Sequence, residues 1–307
     1  MNSETKKQKK SKIEQKGVSI KPFSPTHIFE LVYQDAEIFR LIFTYFKIIK
    51  ANVIYIKCTP KNMIFYTWSN NDNAKICINI DGVKMNWYYC KIIQNLCIIR
   101  KQVEKIFLSI NKDTDKITFF IVEDDSEYLN IHIKNNELDQ IKKYRIKLPV
   151  YKSDENLIQV NSVINTLSDK KMFPLKFTLP ARTFKKSICD GLNFSITMRI
   201  EKTKDTPLTL SFCEINSIPF KEIYQSESKI KLESNLDENN KIIKCNVNIF
   251  FLKAIVCSNI SKDITLYCNN NNQTCLCSFD ENNVISIYAE IVNLIKNTTE
   301  DCLGETD

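Results

Sequence analysis

The sequence predicts an α+β protein of two similar halves, each an antiparallel sheet carrying two helices. Three observations predict it. Apolar residues recur at helical spacing in four stretches, and short β-rich runs bounded by turn residues fill most of the remainder. The order strand, helix, strands, helix, strands then occurs twice, with corresponding helices offset by roughly 145 to 150 positions, as in an old duplication. At 307 residues, 43% hydrophobic and 26% charged, the chain is long enough for two sizeable cores.

In the first half, an extended piece at His27 to Tyr33 precedes Asp35 to Lys50, where Ile38, Leu41, Ile42, Tyr45, Phe46 and Ile49 fall at spacings of three and four. Acids open that segment and lysines close it, as the helix dipole favours. Val53 to Cys58, Met63 to Trp68 and Lys75 to Ile80 follow as an antiparallel meander, interrupted by Thr59-Pro60 and by Ser69 to Asn73. A second helix spans Ile98 to Ile110, and Lys116 to Val122, Tyr128 to Ile133 and Tyr144 to Leu148 read as strands.

The second half starts with strand Leu175 to Leu179 and helix Ala181 to Leu192. Strands are expected near Ile196 to Ile200, Leu208 to Cys213, Lys229 to Leu232 and Ile242 to Asn246. Helix Ile249 to Asn259 comes next, then strands Asp263 to Cys268, Thr274 to Phe279 and Val284 to Ala289. The chain thus divides into a basic disordered arm (1–22), a first domain (23–150), a connector (151–173), a second domain (174–297) and a tail (298–307).

Composition narrows the chemistry. Gly17, Gly82, Gly191 and Gly304 are isolated, so no phosphate-cradling loop can be assembled and nucleotide hydrolysis by that route is excluded. The 12 cysteines contain no CxxC pair and read as small buried hydrophobes of a reducing, intracellular compartment, with no metal site. Of the two histidines, His132 lies in an alternating run and is expected on the solvent side of a strand. The acids Glu123, Asp124, Asp125 and Glu127 form the one tempting catalytic cluster, but between two strands they read as a solvated turn. No apolar run spans a bilayer, and the lysine-rich start, Lys6 to Lys16, has no apolar region after it, which points away from secretion and membranes. Neither an enzyme nor a cofactor is expected.

The stretches Phe39-Arg40-Leu41-Ile42-Phe43-Thr44-Tyr45-Phe46-Lys47 and Phe184-Lys185-Lys186-Ser187-Ile188-Cys189-Asp190, taken with the order of elements, resemble the first helices of the two domains in the proliferating cell nuclear antigen family of DNA sliding clamps. Tyr45-Phe46-Lys47, Cys58-Thr59-Pro60, Ile80-Asp81-Gly82 and Tyr88-Tyr89 bring the chain nearest to the divergent clamp-like proteins of large DNA viruses, the asfarvirus type. The resemblance runs from about Phe23 to Ile295.

The charge of the four helices tests that resemblance. They carry Arg40, Lys47, Lys50, Arg100, Lys101, Lys105, Arg182, Lys185, Lys186 and Lys253 against Asp35, Glu37, Glu104 and Asp190. Three such chains closed head to tail would set twelve helices, spaced by about 8 to 10 Å, around a ring of axes about 30 to 38 Å across. After about 5 Å of helix radius on each side, a hole of about 20 to 28 Å is left, wide enough for a duplex. The resemblance implies that Arg40, Lys47, Lys105 and Lys186, with Lys101, Lys185 and Lys253, face double-stranded DNA without reading its sequence. It also implies a homotrimer that tethers a DNA polymerase, and a ligase or nuclease, through short peptide motifs. These would dock beside the connector at Leu157, Ile158 and Val160 and near the C-terminal residues Tyr288 and Ile291. A nucleus or a cytoplasmic viral replication site is the implied location. The alternative is a clamp-like viral transcription factor that acts as a scaffold without closing a ring.

Overall fold

The computed structural model describes residues 17–19, 21–69, 74–111, 113–149, 173–212, 220–224, 230–234, 236, 242–257, 262–270, 273–279 and 285–292. The first half runs β1 (His27–Tyr33), α1 (Glu37–Ile48), β2 (Val53–Cys58), β3 (Asn62–Trp68), β4 (Ala74–Asp81), β5 (Trp87–Cys90), β6 (Gln94–Ile99), α2 (Arg100–Leu108), β7 (Asp115–Val122), β8 (Tyr128–Asn135) and β9 (Gln140–Lys147). The second half repeats that order: β10 (Leu175–Pro180), α3 (Ala181–Gly191), β11 (Thr197–Thr203), β12 (Leu208–Phe212), β13 (Phe220–Tyr224), β14 (Lys231–Ser234), β15 (Ile242–Asn248), α4 (Ile249–Cys257), β16 (Asp263–Cys268), β17 (Gln273–Phe279) and β18 (Ile285–Val292). The connector and both chain ends, including most of the basic arm, lie outside the described residues.

The repeat extends to pairing. Strands β5-β1-β7-β8-β9 form one sheet, and their second-half counterparts β14-β10-β16-β17-β18 follow the same order. Likewise β6-β2-β3-β4 corresponds to β15-β11-β12-β13. One junction joins the halves: β18 pairs antiparallel with β4 from Ile285↔Ile80 to Ile291↔Ala74, which fuses a five-stranded and a four-stranded piece into a nine-stranded sheet. By the repeat, the counterparts of β18 and β4 are β9 and β13. Both are sheet edges.

The helices form because their apolar residues make one stripe, and they stop where the backbone cannot continue. In α1 the buried Ile38, Phe39, Ile42, Phe43, Tyr45 and Phe46 share a face. The helix ends at Lys50, which enters the left-handed region at φ 57° while its N–H and that of Ala51 bond back to the Lys47 and Phe46 carbonyls. Phe43 stacks on Phe107 of α2 with ring centroids 3.6 Å apart, and Phe39 and Phe107 both meet Phe119 of β7. In the second half α3 approaches β12 so closely that a Cβ on Gly191 would lie 2.2 Å from the buried Phe212 ring. Gly191→Ala is therefore expected to lower stability by about 1–3 kcal/mol, as overpacking does, and a fall in the urea midpoint at unchanged m-value checks it.

Most strands occupy the positions their periodicity predicts. Helix α2, expected from Ile98, starts at Arg100 because Ile98 and Ile99 complete β6 against Ile54 and Val53. Strands β5, β6 and β13 were not foreseen in the sequence. No described helix is long and apolar enough to cross a membrane.

Candidate nucleic-acid interface

The four helices lie in one row. Helix α1 packs against α2 on one side and α4 on the other, and α4 packs against α3. Helical geometry puts Arg40, Thr44 and Lys47 on the outward side of α1, Lys101 and Lys105 on that of α2, and Arg182, Lys186 and Cys189 on that of α3. Lys101, Lys105, Arg182, Lys186 and Lys253 are exposed, and Lys185 is half-buried at the flank of α3. The layer so presents seven predicted bases from four elements on the side away from the core.

Ion pairing divides them. Arg40 is bound to Glu37 one turn earlier, and that contact raises its pKa. Lys47 reaches across from α1 to Glu104 of α2 at 2.8 Å, and Glu104 also takes Arg100. The hydrogen bond from Lys47, followed by the charge of Arg100, holds the Glu104 carboxyl below its usual range. Arg100 itself is buried and donates to the Ala51 carbonyl at 2.6 Å, so it braces the helix pair and does not face outward. Among the described residues Lys101, Lys105, Lys186 and Lys253 have no acidic partner. These four are the bases most available to an external anion. Helix α4 contributes less charge than the others, since its outward position is the exposed Phe250.

The predicted peptide-docking residues are placed unevenly. Leu157, Ile158 and Val160 fall outside the described residues. Ile291 is buried in the core, while Tyr288 is half-exposed on the opposite side of β18. Directly opposed positions carry that side across the sheet as the row Cys97, Tyr55, Tyr66, Cys77, Tyr288. Tyr55 stacks on Tyr66 and on Trp68 with centroids 5.1 and 5.2 Å apart. Sequence reasoning passed over this aromatic row, although the alternation of Tyr55 and Lys57 with buried Ile54 and Ile56 was the signal for it.

The acidic cluster is a 3-10 turn at Glu123–Asp125 followed by Glu127; Glu123 pairs with Lys91, Asp125 with Arg145 and Glu127 with Lys147. Cys58, Cys77, Cys90, Cys97, Cys245 and Cys268 are buried, and burial pushes the Cys77 thiol up to about 12 and the Cys90 thiol to about 11. Cys189 is exposed, on the outward side of α3 beside the basic positions. At pH 8 a maleimide is expected to label Cys189 within minutes and to leave Cys58, Cys77, Cys90, Cys97, Cys245 and Cys268 unmodified in the folded chain, as peptide mapping would report.

No protein-family model matches the chain. It is 31% identical over 259 residues to an uncharacterized protein of African swine fever virus from a Malawi tick isolate, covering 84% of this chain and 85% of that protein. The same protein from a Kenyan pig isolate of the virus, also uncharacterized, matches to the same extent. Among solved structures, the proliferating cellular nuclear antigen of Entamoeba histolytica superposes with a TM-score of 0.68 at 12% identity, over 87% of this chain and 98% of that one. By sequence the chain belongs to the family of these African swine fever virus proteins, and its fold is that of the proliferating cellular nuclear antigen.

Proposed function

We propose that this protein is a DNA sliding clamp: a head-to-tail homotrimer that encircles duplex DNA and tethers a replicative polymerase, and other replication or repair enzymes, to it. The observation that carries the reading is the asymmetry of the repeat. The pairing β18–β4 joins the halves within one chain, while the corresponding β9 and β13 are sheet edges among the described residues. An edge strand presents unpaired backbone groups, and a heterologous contact between two such edges closes a ring when its rotation divides a full turn. Exposed Ile141 on β9 and Ile223 on β13, at 51% and 53% exposure, supply apolar surface for that contact.

In this reading 23–150 and 174–297 are the two clamp domains, joined by the connector 151–173. The helix layer lines the hole, and Lys101, Lys105, Lys186 and Lys253 act on phosphates through counterion release. Binding is then independent of sequence, sensitive to salt and compatible with sliding. The clamp contributes no chemistry of its own; it raises the effective concentration of its partner at the template. Partner peptides dock on the outer side of the central sheet, beside the aromatic row that ends at Tyr288.

Light scattering at several concentrations tests the assembly. The expected result is three times the chain mass, independent of dilution over the micromolar range. A monomer throughout would contradict the self-assembled ring and favour a clamp-like scaffold acting in transcription. DNA threaded through the ring is also expected to shield Cys189, slowing its alkylation on nicked circular duplex and not with the free protein.

A further inference from the structure

We propose that the outer face of β7, β8 and β9, on the opposite side of the first-half sheet from the helices, is a second nucleic-acid surface that takes single strands. Strand alternation turns Ile117, Phe119, Ile121, Leu129, Ile131 and Ile133 into the core. The residues between them face out, and directly opposed pairs align them in rows: Lys116 with Lys134 and Ile141, Thr118 with His132 and Lys143, and Phe120 with Asn130 and Arg145. Lys147 pairs with Tyr128 in the last row.

Five permanent bases thus share one flat face, and none of its β7, β8 and β9 positions in these rows is acidic. Of the acids nearby, Glu30 of β1 stands directly opposite Phe120, buried and 3.4 Å from His27, and the others come from flanking turns: Asp125 meets Arg145 at 2.7 Å, Glu127 meets Lys147 at 3.7 Å and Asp139 meets Lys134 at 2.6 Å. The turn pairs are largely exposed, and exposed pairs are weak enough for a polyanion to displace. Lys116 and Lys143 have no acidic partner among the described residues. Burial and the neighbouring Lys134 hold the Lys116 amine below the ordinary lysine value, and burial, Lys143 and His27 act likewise on His132. A positive potential left uncompensated in this way is relieved by a bound polyanion.

Aromatic rings are interleaved with the bases. His27 stacks on Phe120 at 4.6 Å, His132 meets the edge of Phe120 at 4.9 Å, and the Arg145 guanidinium sits 3.9 Å over the Tyr128 ring. Lys143, Arg145 and Lys147 form a comb along β9 with steps of about 6.8 Å, the repeat of same-face residues in a strand. The face is two strand spacings wide, about 10 Å, which suits one sugar–phosphate chain with its bases laid on rings. An acidic protein would use the cations and leave the aromatic row without a role.

The test is fluorescence anisotropy of the full-length protein with a labelled oligothymidine of about 20 nucleotides across a salt series. Lys116→Gln with Lys143→Gln is expected to weaken binding at least about tenfold and to flatten the log–log salt slope by about 1.4, the value for two lost single-strand phosphate contacts. Phe120→Leu keeps an apolar side chain and is expected to lower affinity roughly tenfold with the slope unchanged, the mark of lost stacking. Charge reversal in the helix layer, at Lys101, Lys105, Lys186 and Lys253, should leave oligothymidine binding intact. Unchanged binding by both outer-face variants, or loss of binding only in the helix-layer variant, would overturn the proposal while leaving the clamp reading standing. Displacement of the oligonucleotide by polyglutamate at equal charge would overturn it in favour of an acidic protein partner.

Discussion

If the proposed ring closes through β9 and β13, Ile141→Glu and Ile223→Glu, introduced together, are expected to convert the trimer to monomers and to abolish retention on DNA. Both side chains are more than half exposed on edge strands, so the folded chain loses no core contact when they change. In the ring each β9 would meet the β13 of a neighbour, and the substitutions would bury like charges where two apolar side chains had been, three times per particle. Unpaired buried charge is among the costliest changes an interface can suffer, and a loss of several kcal/mol per contact lowers association by a thousandfold or more. Light scattering at micromolar concentration should give the mass of one chain, and circular dichroism and the thermal midpoint should match the parent. If the double variant stays trimeric, the ring is not closed through these edges.

Reversing Lys101, Lys105, Lys186 and Lys253 to glutamate should leave the proposed trimer intact and remove the hold on duplex that the ring predicts. These are exposed helix-layer bases that make no salt bridge among the described residues, so each would contribute a full charge to the hole of the proposed ring. Each phosphate contact adds about 0.9 to the salt slope, and a set of six to ten contacts is worth about 10³ to 10⁵ in affinity between 50 and 200 mM salt. Three subunits multiply the change, and the reversed signs repel the phosphates in place of attracting them. Affinity for a plasmid-length duplex at 100 mM salt should drop by at least about a hundredfold, with the salt slope flattened to near zero. Reversing Arg40 and Lys47 should matter less for DNA and more for stability, because Glu37 and Glu104 already hold them.

That distinction was beyond the reach of the sequence. The outward placement of Arg40, Lys47, Lys101, Lys105 and Lys186 was legible, since the apolar stripes of α1, α2 and α3 leave no other side for them. What quenches Lys47 is Glu104, a residue from another helix brought alongside by the Phe43–Phe107 stack. No local pattern announces a contact of that kind. Similarly, Arg100 counted as a helix-layer base until the chain turn at Ala51 put a carbonyl against it and buried it.

Strands show the same division. The alternating runs β2, β3, β7, β8 and β16 were plain from period-two patterning. Strand β5 is only four residues long, and β6 runs without a break into α2, so the apolar Ile98 and Ile99 fitted either element. In β13, Glu222 stands on the side that Phe220 and Tyr224 turn toward the core, which breaks the alternation that would have revealed the strand. The missed β13 is also an open edge and one half of the predicted subunit contact. An interface strand is relieved of the demand for a regular buried side within its own chain, and that weakens its sequence signal.

The central claim is that this chain holds DNA by topology. Its most direct test is to load the protein on nicked circular duplex, wash at about 300 mM salt where purely electrostatic binding is lost, and then cut the circle once. The ring predicts protein retained on the circle through the wash and released when the cut provides ends. Equal loss from circular and linear duplex during the wash, or equal retention after the cut, would contradict it.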